Sequence, residues 1–101
     1  MATDVRNQPE QSRYAVFLDD ELAGFAAYQQ SEGEISLTHT EIDSRFEGKG
    51  LGSGLARGAL DDARARRLDV IPHCQFMSGY IKRHEEYLDL VPAARRAEVG
   101  L

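Results

Sequence analysis

Three stretches predict an α+β fold: a mixed, mainly antiparallel sheet with helices packed on it and one βαβ unit. Arg13 to Leu18 and Leu22 to Tyr28 are rich in β-formers and are separated only by Asp19-Asp20, which reads as an antiparallel hairpin. Glu34 to Ile42 alternates polar and apolar residues as a strand does. After it, glycines at 48, 50, 52 and 54 open a segment of helical periodicity, and a short apolar run from Leu68 to Pro72 follows. Strand, helix and strand in that order make a crossover with its two strands parallel.

Taken in order, the polar N-terminal stretch Met1–Gln11 reads as a frayed start with a short edge strand near Val5. Gly24, Ala26 and Ala27 in the second strand of the hairpin imply close packing on one face. Ser31-Glu32-Gly33 is the next turn. In Glu34–Ile42, strict alternation puts Ile35, Leu37 and His39 on one face and Ser36, Thr38 and Thr40 on the other. Ile42 then falls on the wrong parity, a one-residue slip of the kind a β-bulge produces. From Gly50 to about Arg67, Leu51, Leu55, Ala59 and Ala63 form a helical stripe, and Arg64, Arg66 and Arg67 crowd the last turn, where cations complement the dipole. Phe76 to His84 reads as a second helix, and the tail after Leu90 as loosely ordered.

With 101 residues, 42% of them hydrophobic, the chain reads as one domain, 1–101, with its core over about 12–91. A net charge of −5 argues against a nucleic-acid partner, which needs a basic face, and is compatible with a cationic one. A single cysteine excludes an internal disulfide. No apolar run reaches the length of a membrane span and the first residues lack a signal-peptide core, so a cytoplasmic location without membrane contact is expected. His73, Cys74, His84 and Glu85 are metal-ligand types, but no recognised metal spacing connects them, and no metal is expected.

The glycine loop carries the strongest functional signal. Free N–H groups at a helix start, together with the helix dipole, form an anion site suited to a phosphate or pyrophosphate. Neither the Walker A spacing nor the dinucleotide fingerprint G-x-G-x-x-G is present; the residue after each G-x-G-x-x is Ser53, Leu55 or Arg57. Close packing of the helix on the sheet is the competing explanation for the glycines.

The run Glu47-Gly48-Lys49-Gly50-Leu51-Gly52 resembles the (Gln/Arg)-x-x-Gly-x-(Gly/Ala) signature of the GCN5-related N-acetyltransferases, with Glu47 at the first position in place of Gln or Arg. Ser12-Arg13-Tyr14, Gly24 to Tyr28, Thr38 to Ile42, Cys74 and His84 to Tyr87 occur in the order found in a very short branch of that family. The resemblance implies an acetyltransferase-like sheet in its minimal form, without the pair of helices that ordinary members insert between the first two strands. It implies acetyl-coenzyme A as cofactor, held by the loop Gly48, Lys49, Gly50, Leu51, Gly52, Ser53 and Gly54, with Ile42 at the end of the bulged strand facing the thioester. It implies partners limited to the acyl-coenzyme A and an amine acceptor, oligomeric state unspecified.

In the implied fold the strands ending near His39 and near Cys74 are parallel neighbours that splay, and both residues approach the reacting carbon. His39 suits a general base and equally a hydrogen-bonded core position. Cys74 suits either a nucleophile or a small buried hydrophobe, and Tyr80 either the proton donor to the departing thiolate or a core aromatic. Direct N-acetylation of a primary amine is therefore the expected function. An acyl-coenzyme A-binding module without turnover, acyl transfer through Cys74, and a structural domain remain the alternatives.

Overall fold

The computed structural model describes residues 2–101; Met1, part of the expected frayed start, lies outside the described residues. Five strands run in sequence order across one sheet: β1 (Thr3–Gln8), β2 (Arg13–Leu18), β3 (Glu21–Ser31), β4 (Glu34–Ile42) and β5 (Asp69–Pro72). The first four pair antiparallel, and β5 pairs parallel to β4. The N-terminal segment is thus a six-residue edge strand, longer than the sequence implied, and Val5 packs against the core. Asp19 and Asp20 make the β2–β3 turn, both with positive φ (49° and 68°), a conformation that their short polar side chains tolerate.

Helix α1 (Leu51–Ala65) makes the crossover from β4 to β5 and lays Leu55, Ala59, Leu60 and Ala63 on one face of the sheet. Its approach is close: a Cβ on Gly58 would stand 2.8 Å from Val5 of β1. Tyr14 of β2 rises from the sheet to donate a 2.6 Å hydrogen bond to Asp62 on α1, and Arg66 reaches Asp62 and Gln30. Arg64 donates to Asp89 and to the Glu86 carbonyl. Two of the three arginines at the helix end therefore tie α1 to the rest of the fold.

Helix α2 (Gln75–Arg83) lies beside α1 and buries Met77, Tyr80 and Ile81. Beyond it the chain does not loosen as expected. It continues in short 3₁₀ turns over Glu85–Leu90, Ala93–Arg95 and Ala97–Val99, with Leu90, Val91 and Val99 buried. Arg95 reaches back 3.1 Å to Glu34 on β4. The ordered core therefore extends past Val91 at one end and to Val5 at the other. Apolar residues spaced too widely for a helix stripe still find cover here in the core cluster.

The β3–β4 pairing decides what each face carries. Ala27 stands opposite His39 but Tyr28 opposite Leu37, so Thr38 is the extra residue of a bulge. The slip expected near Ile42 therefore occurs earlier. Past the bulge, Thr40 and Ile42 share the α1 face with Ile35 and Leu37, through the pairs Ala26–Thr40 and Gly24–Ile42. His39 does not: it turns to the opposite face, with a side chain 61% exposed.

Candidate active site

Strands β4 and β5 stay paired only as far as Leu37 and Pro72. The Cys74 N–H donates to the Leu37 carbonyl at 3.1 Å, and the chain then turns into α2 with Cys74 at its N-cap. From Thr38 onward β4 has β3 on one side and, among the described residues, no strand on the other. The Asp43 N–H donates to the Ala23 carbonyl of β3 at 2.8 Å. By strand alternation the N–H groups of Thr40 and Ile42 then point away from β3, into this gap. Across the gap the Thr40 hydroxyl oxygen lies 3.2 Å from Cys74 Sγ. Thr40 was not singled out from sequence, because unbroken alternation put it on the wrong face.

The loop below the gap is built by local hydrogen bonds. Asp43 accepts from the Arg45 backbone N–H (2.9 Å) and from its guanidinium, which together hold the Asp43 carboxyl below the usual carboxylate range. A 3₁₀ turn over Ser44–Phe46 follows. Gly48 and Gly50 then take φ of +81° and +73°, the left-handed region that side chains rarely adopt. Gly50 is the N-cap of α1 and offers no side chain to cap it. The first helical bond closes from the Gly54 N–H to the Gly50 carbonyl at 3.2 Å, which leaves the amides of Gly50, Leu51, Gly52 and Ser53 without helical partners. No acidic residue occupies the first turn, and Lys49 is exposed beside it.

The glycines divide by role. A Cβ on Gly52 would stand 2.8 Å from the Phe76 ring, so this glycine lets the first turns of α1 and α2 meet. Close packing, the competing explanation, thus accounts for Gly58 against the branched Val5 and leaves Gly52 against only the movable tip of the Phe76 ring, whereas Gly48 and Gly50 answer a backbone requirement with open space around them. Gly54 faces only Thr3, at 3.9 Å. Because Gly52 abuts Phe76, the uncapped start of α1 sits beside the start of α2, and hence beside Cys74.

His39 and Cys74 are not brought together. The bulge sends His39 to the open face, where its Nε2 lies 3.2 Å from Glu41 Oε2 and its ring centroid 6.1 Å from that of Phe25. The expectation that His39 continues the Ile35/Leu37 face is corrected accordingly. Tyr80 is buried with its ring stacked 4.1 Å from His84 and 6.1 Å from Tyr87, in the aromatic packing of α2. Tyr87 in turn donates to Asp61 on α1 at 2.8 Å; burial, helped by that carboxylate, pushes its hydroxyl up to about 12. Among the described residues no three His, Cys, Asp or Glu side chains converge as metal ligands, and no helix is long and apolar enough to cross a membrane.

Residues 13–90 match the family model of the GCN5-related N-acetyltransferases. Solved structures with the same architecture include the NMR structure of a GCN5-like protein from Staphylococcus aureus (TM-score 0.66, 19% identity, 87% of this chain and 86% of that one). The crystal structure of Ard1 from Thermoplasma volcanium aligns over a smaller part (TM-score 0.51, 23% identity, 58% of this chain and 40% of that one). At these identities the likeness is one of fold. No curated protein matches the sequence. The family model spans most of the chain, from the second strand to the turns after α2, and the strand gap and glycine loop lie within it: this protein belongs to the GCN5-related N-acetyltransferase family.

Proposed function

We propose that the protein is an acetyl-coenzyme A-dependent N-acetyltransferase that transfers the acetyl group directly to a primary amine. The observation that carries this reading is the uncapped start of α1, with its free amides and Lys49, beside the gap where β4 parts from β5. The cofactor supplies an acetyl group activated as a thioester. The amides of Gly50 to Ser53, with the helix dipole behind them and Lys49 alongside, suit its pyrophosphate. Gly48 shapes the loop, and Gly54 stays small at its rim. The amides of Thr40 and Ile42, aimed into the gap, suit the extended arm and the thioester carbonyl, where donors stabilise developing negative charge.

Transfer forms a C–N bond to the amine nitrogen and breaks the C–S bond; the amine gives up a proton and the departing thiolate takes one from solvent. His39 is the candidate to accept the amine's proton from the open face. Its Nε2 is engaged with Glu41 Oε2 at 3.2 Å, which leaves Nδ1 as the ring nitrogen available to the amine. Cys74 then lines the gap without taking the acetyl group, and Tyr80 contributes packing. Calorimetry with coenzyme A, acetyl-coenzyme A and ATP, followed by thiol-release assays against pooled amines, tests the reading. Tight binding of the coenzymes but not ATP, with turnover, is expected. Binding without turnover means a sensing module, and no binding means a structural domain.

A further inference from the structure

Where β3 begins and β4 ends, past the bulge, the sheet carries a cavity of about 490 Å³, lined from the open face by Leu22, Phe25 and Glu41, from the α1 face by Gly24 and Ile42, and by Asp43 among others. The strand registers put the side chains of Leu22, Phe25 and Glu41 on this open face. Leu22 is 39% exposed, one of only two large hydrophobic side chains so exposed among the described residues. The two carboxylates of the lining differ in what already engages them. Asp43 is held by Arg45, whereas Glu41 meets only His39 among the described residues, and both of those side chains are largely exposed. Arg13 lies over Phe25 at 5.6 Å, from the β2 side.

From this arrangement we propose that the cavity is the acceptor site and that it takes a small primary amine with an apolar or aromatic body. The inference rests on the acetyltransferase reading above and adds to it the class of acceptor. The body covers Leu22 and Phe25, and the ammonium sits on Glu41, turned away from the like charge of Arg13. The size suits such a molecule, since small-ligand pockets run from about 300 to 1,000 Å³ and combine apolar walls with few polar anchors. A net charge of −5 also favours the approach of a cation. From Glu41 the amino group has a short path to the gap. His39 stands next to Glu41, and on its β5 side β4 has, among the described residues, no neighbouring strand beyond Leu37, so the two faces communicate around its free edge.

The experiment is an amide-resolved NMR titration of the full chain, with coenzyme A present, using phenethylamine, spermidine and a short peptide with a free N-terminus as probes. Phenethylamine is expected to bind tightest, shifting the signals of Leu22, Phe25 and Glu41. Glu41→Gln is expected to weaken it at least tenfold and Phe25→Ala several-fold, with spermidine less affected by the second change. Shifts confined to other residues, an unchanged affinity in Glu41→Gln, or preference for spermidine or the peptide would overturn the proposal. Coenzyme A affinity is read separately in the same samples. Its absence from the unmodified protein would remove the acetyltransferase reading, whereas its presence with no amine bound at the cavity removes only the acceptor assignment.

Discussion

Thr40 Oγ1 lies 3.2 Å from Cys74 Sγ across the gap between β4 and β5, and it does so only because Thr38 bulges out of the strand. Without the bulge, His39 would occupy the inner face and Thr40 the outer one. The one-residue slip exchanges them, so the inner face gains a small hydroxyl beside the thiol and the open face gains an imidazole beside Glu41. This separation puts His39 and Cys74 on different faces of the sheet and allows the roles proposed for them to be tested apart.

His39→Ala is expected to lower turnover by about 10²–10⁴-fold, the range of a general base, with coenzyme A affinity little changed. Cys74→Ala is expected to keep substantial activity in the thiol-release assay. Mass spectrometry of the protein mixed with acetyl-coenzyme A is expected to find no stable acetyl adduct on Cys74. An adduct whose decay matches turnover would reverse the assignment.

The two kinds of loop glycine are expected to fail differently. Gly50→Val forces a branched side chain to a φ of +73°, which costs about 1–3 kcal/mol and displaces the free amides at the start of α1. Coenzyme A binding should be lost in calorimetry while the circular dichroism spectrum stays native. Gly52→Ala brings a methyl to 2.8 Å from the tip of the Phe76 ring, which at 38% exposure can swing aside, and the helix propensity of alanine offsets the cost, so the melting temperature should change little. A melting temperature well below that of the unmodified protein in Gly52→Ala, recovered in Gly52→Ala/Phe76→Ala, would mean that the ring cannot move.

Glu47→Arg is expected to tighten coenzyme A binding, since it replaces a negative charge near the loop by a positive one. The gain should shrink as salt is raised from low to physiological ionic strength. Weaker binding by calorimetry would assign Glu47 a structural role in the loop.

Tyr14, Tyr28 and Tyr87 all have hydroxyls raised above the ordinary tyrosine value, burial being the largest cause in each, with Asp62 and Asp61 adding to it for Tyr14 and Tyr87. A raised folded value means the neutral form is favoured in the native state. Its stabilisation is complete below about pH 10 and is lost as the pH rises through the folded values. Ultraviolet titration should therefore show Tyr14, Tyr28 and Tyr87 ionising late, in step with alkaline unfolding, whereas ordinary transitions for these three in the folded protein would contradict these environments.

Truncation after Val91 is expected to destabilise the protein, because it removes the buried Val99 and the Arg95–Glu34 pair. Burial of one such side chain is worth about 1.5–3 kcal/mol, and the exposed fringe of the ion pair adds little. A melting temperature equal to that of the full chain would mean the tail is dispensable.

Much of this was legible in the residues themselves. The hairpin follows from β-forming runs around Asp19-Asp20, and α1 from the spacing of Leu51, Leu55, Ala59 and Ala63, because local backbone preference and periodic burial leave one consistent solution. The glycine loop and the ordered motifs around it pointed to the family for the same reason: backbone conformation and anion binding are properties of a short contiguous segment. Tertiary structure alone decided the rest. The bulge position depends on how β3 and β4 pair, so the alternation that put His39 on the inner face could not reveal that Thr40 belongs there. The close contacts of Gly52 and Gly58 exist only once Phe76 and Val5 are brought against them from distant parts of the chain. The order of the C-terminal turns is likewise decided by the core cluster they join, since Val91 and Val99 show no periodicity of their own and gain their stability from contacts with residues far away in sequence.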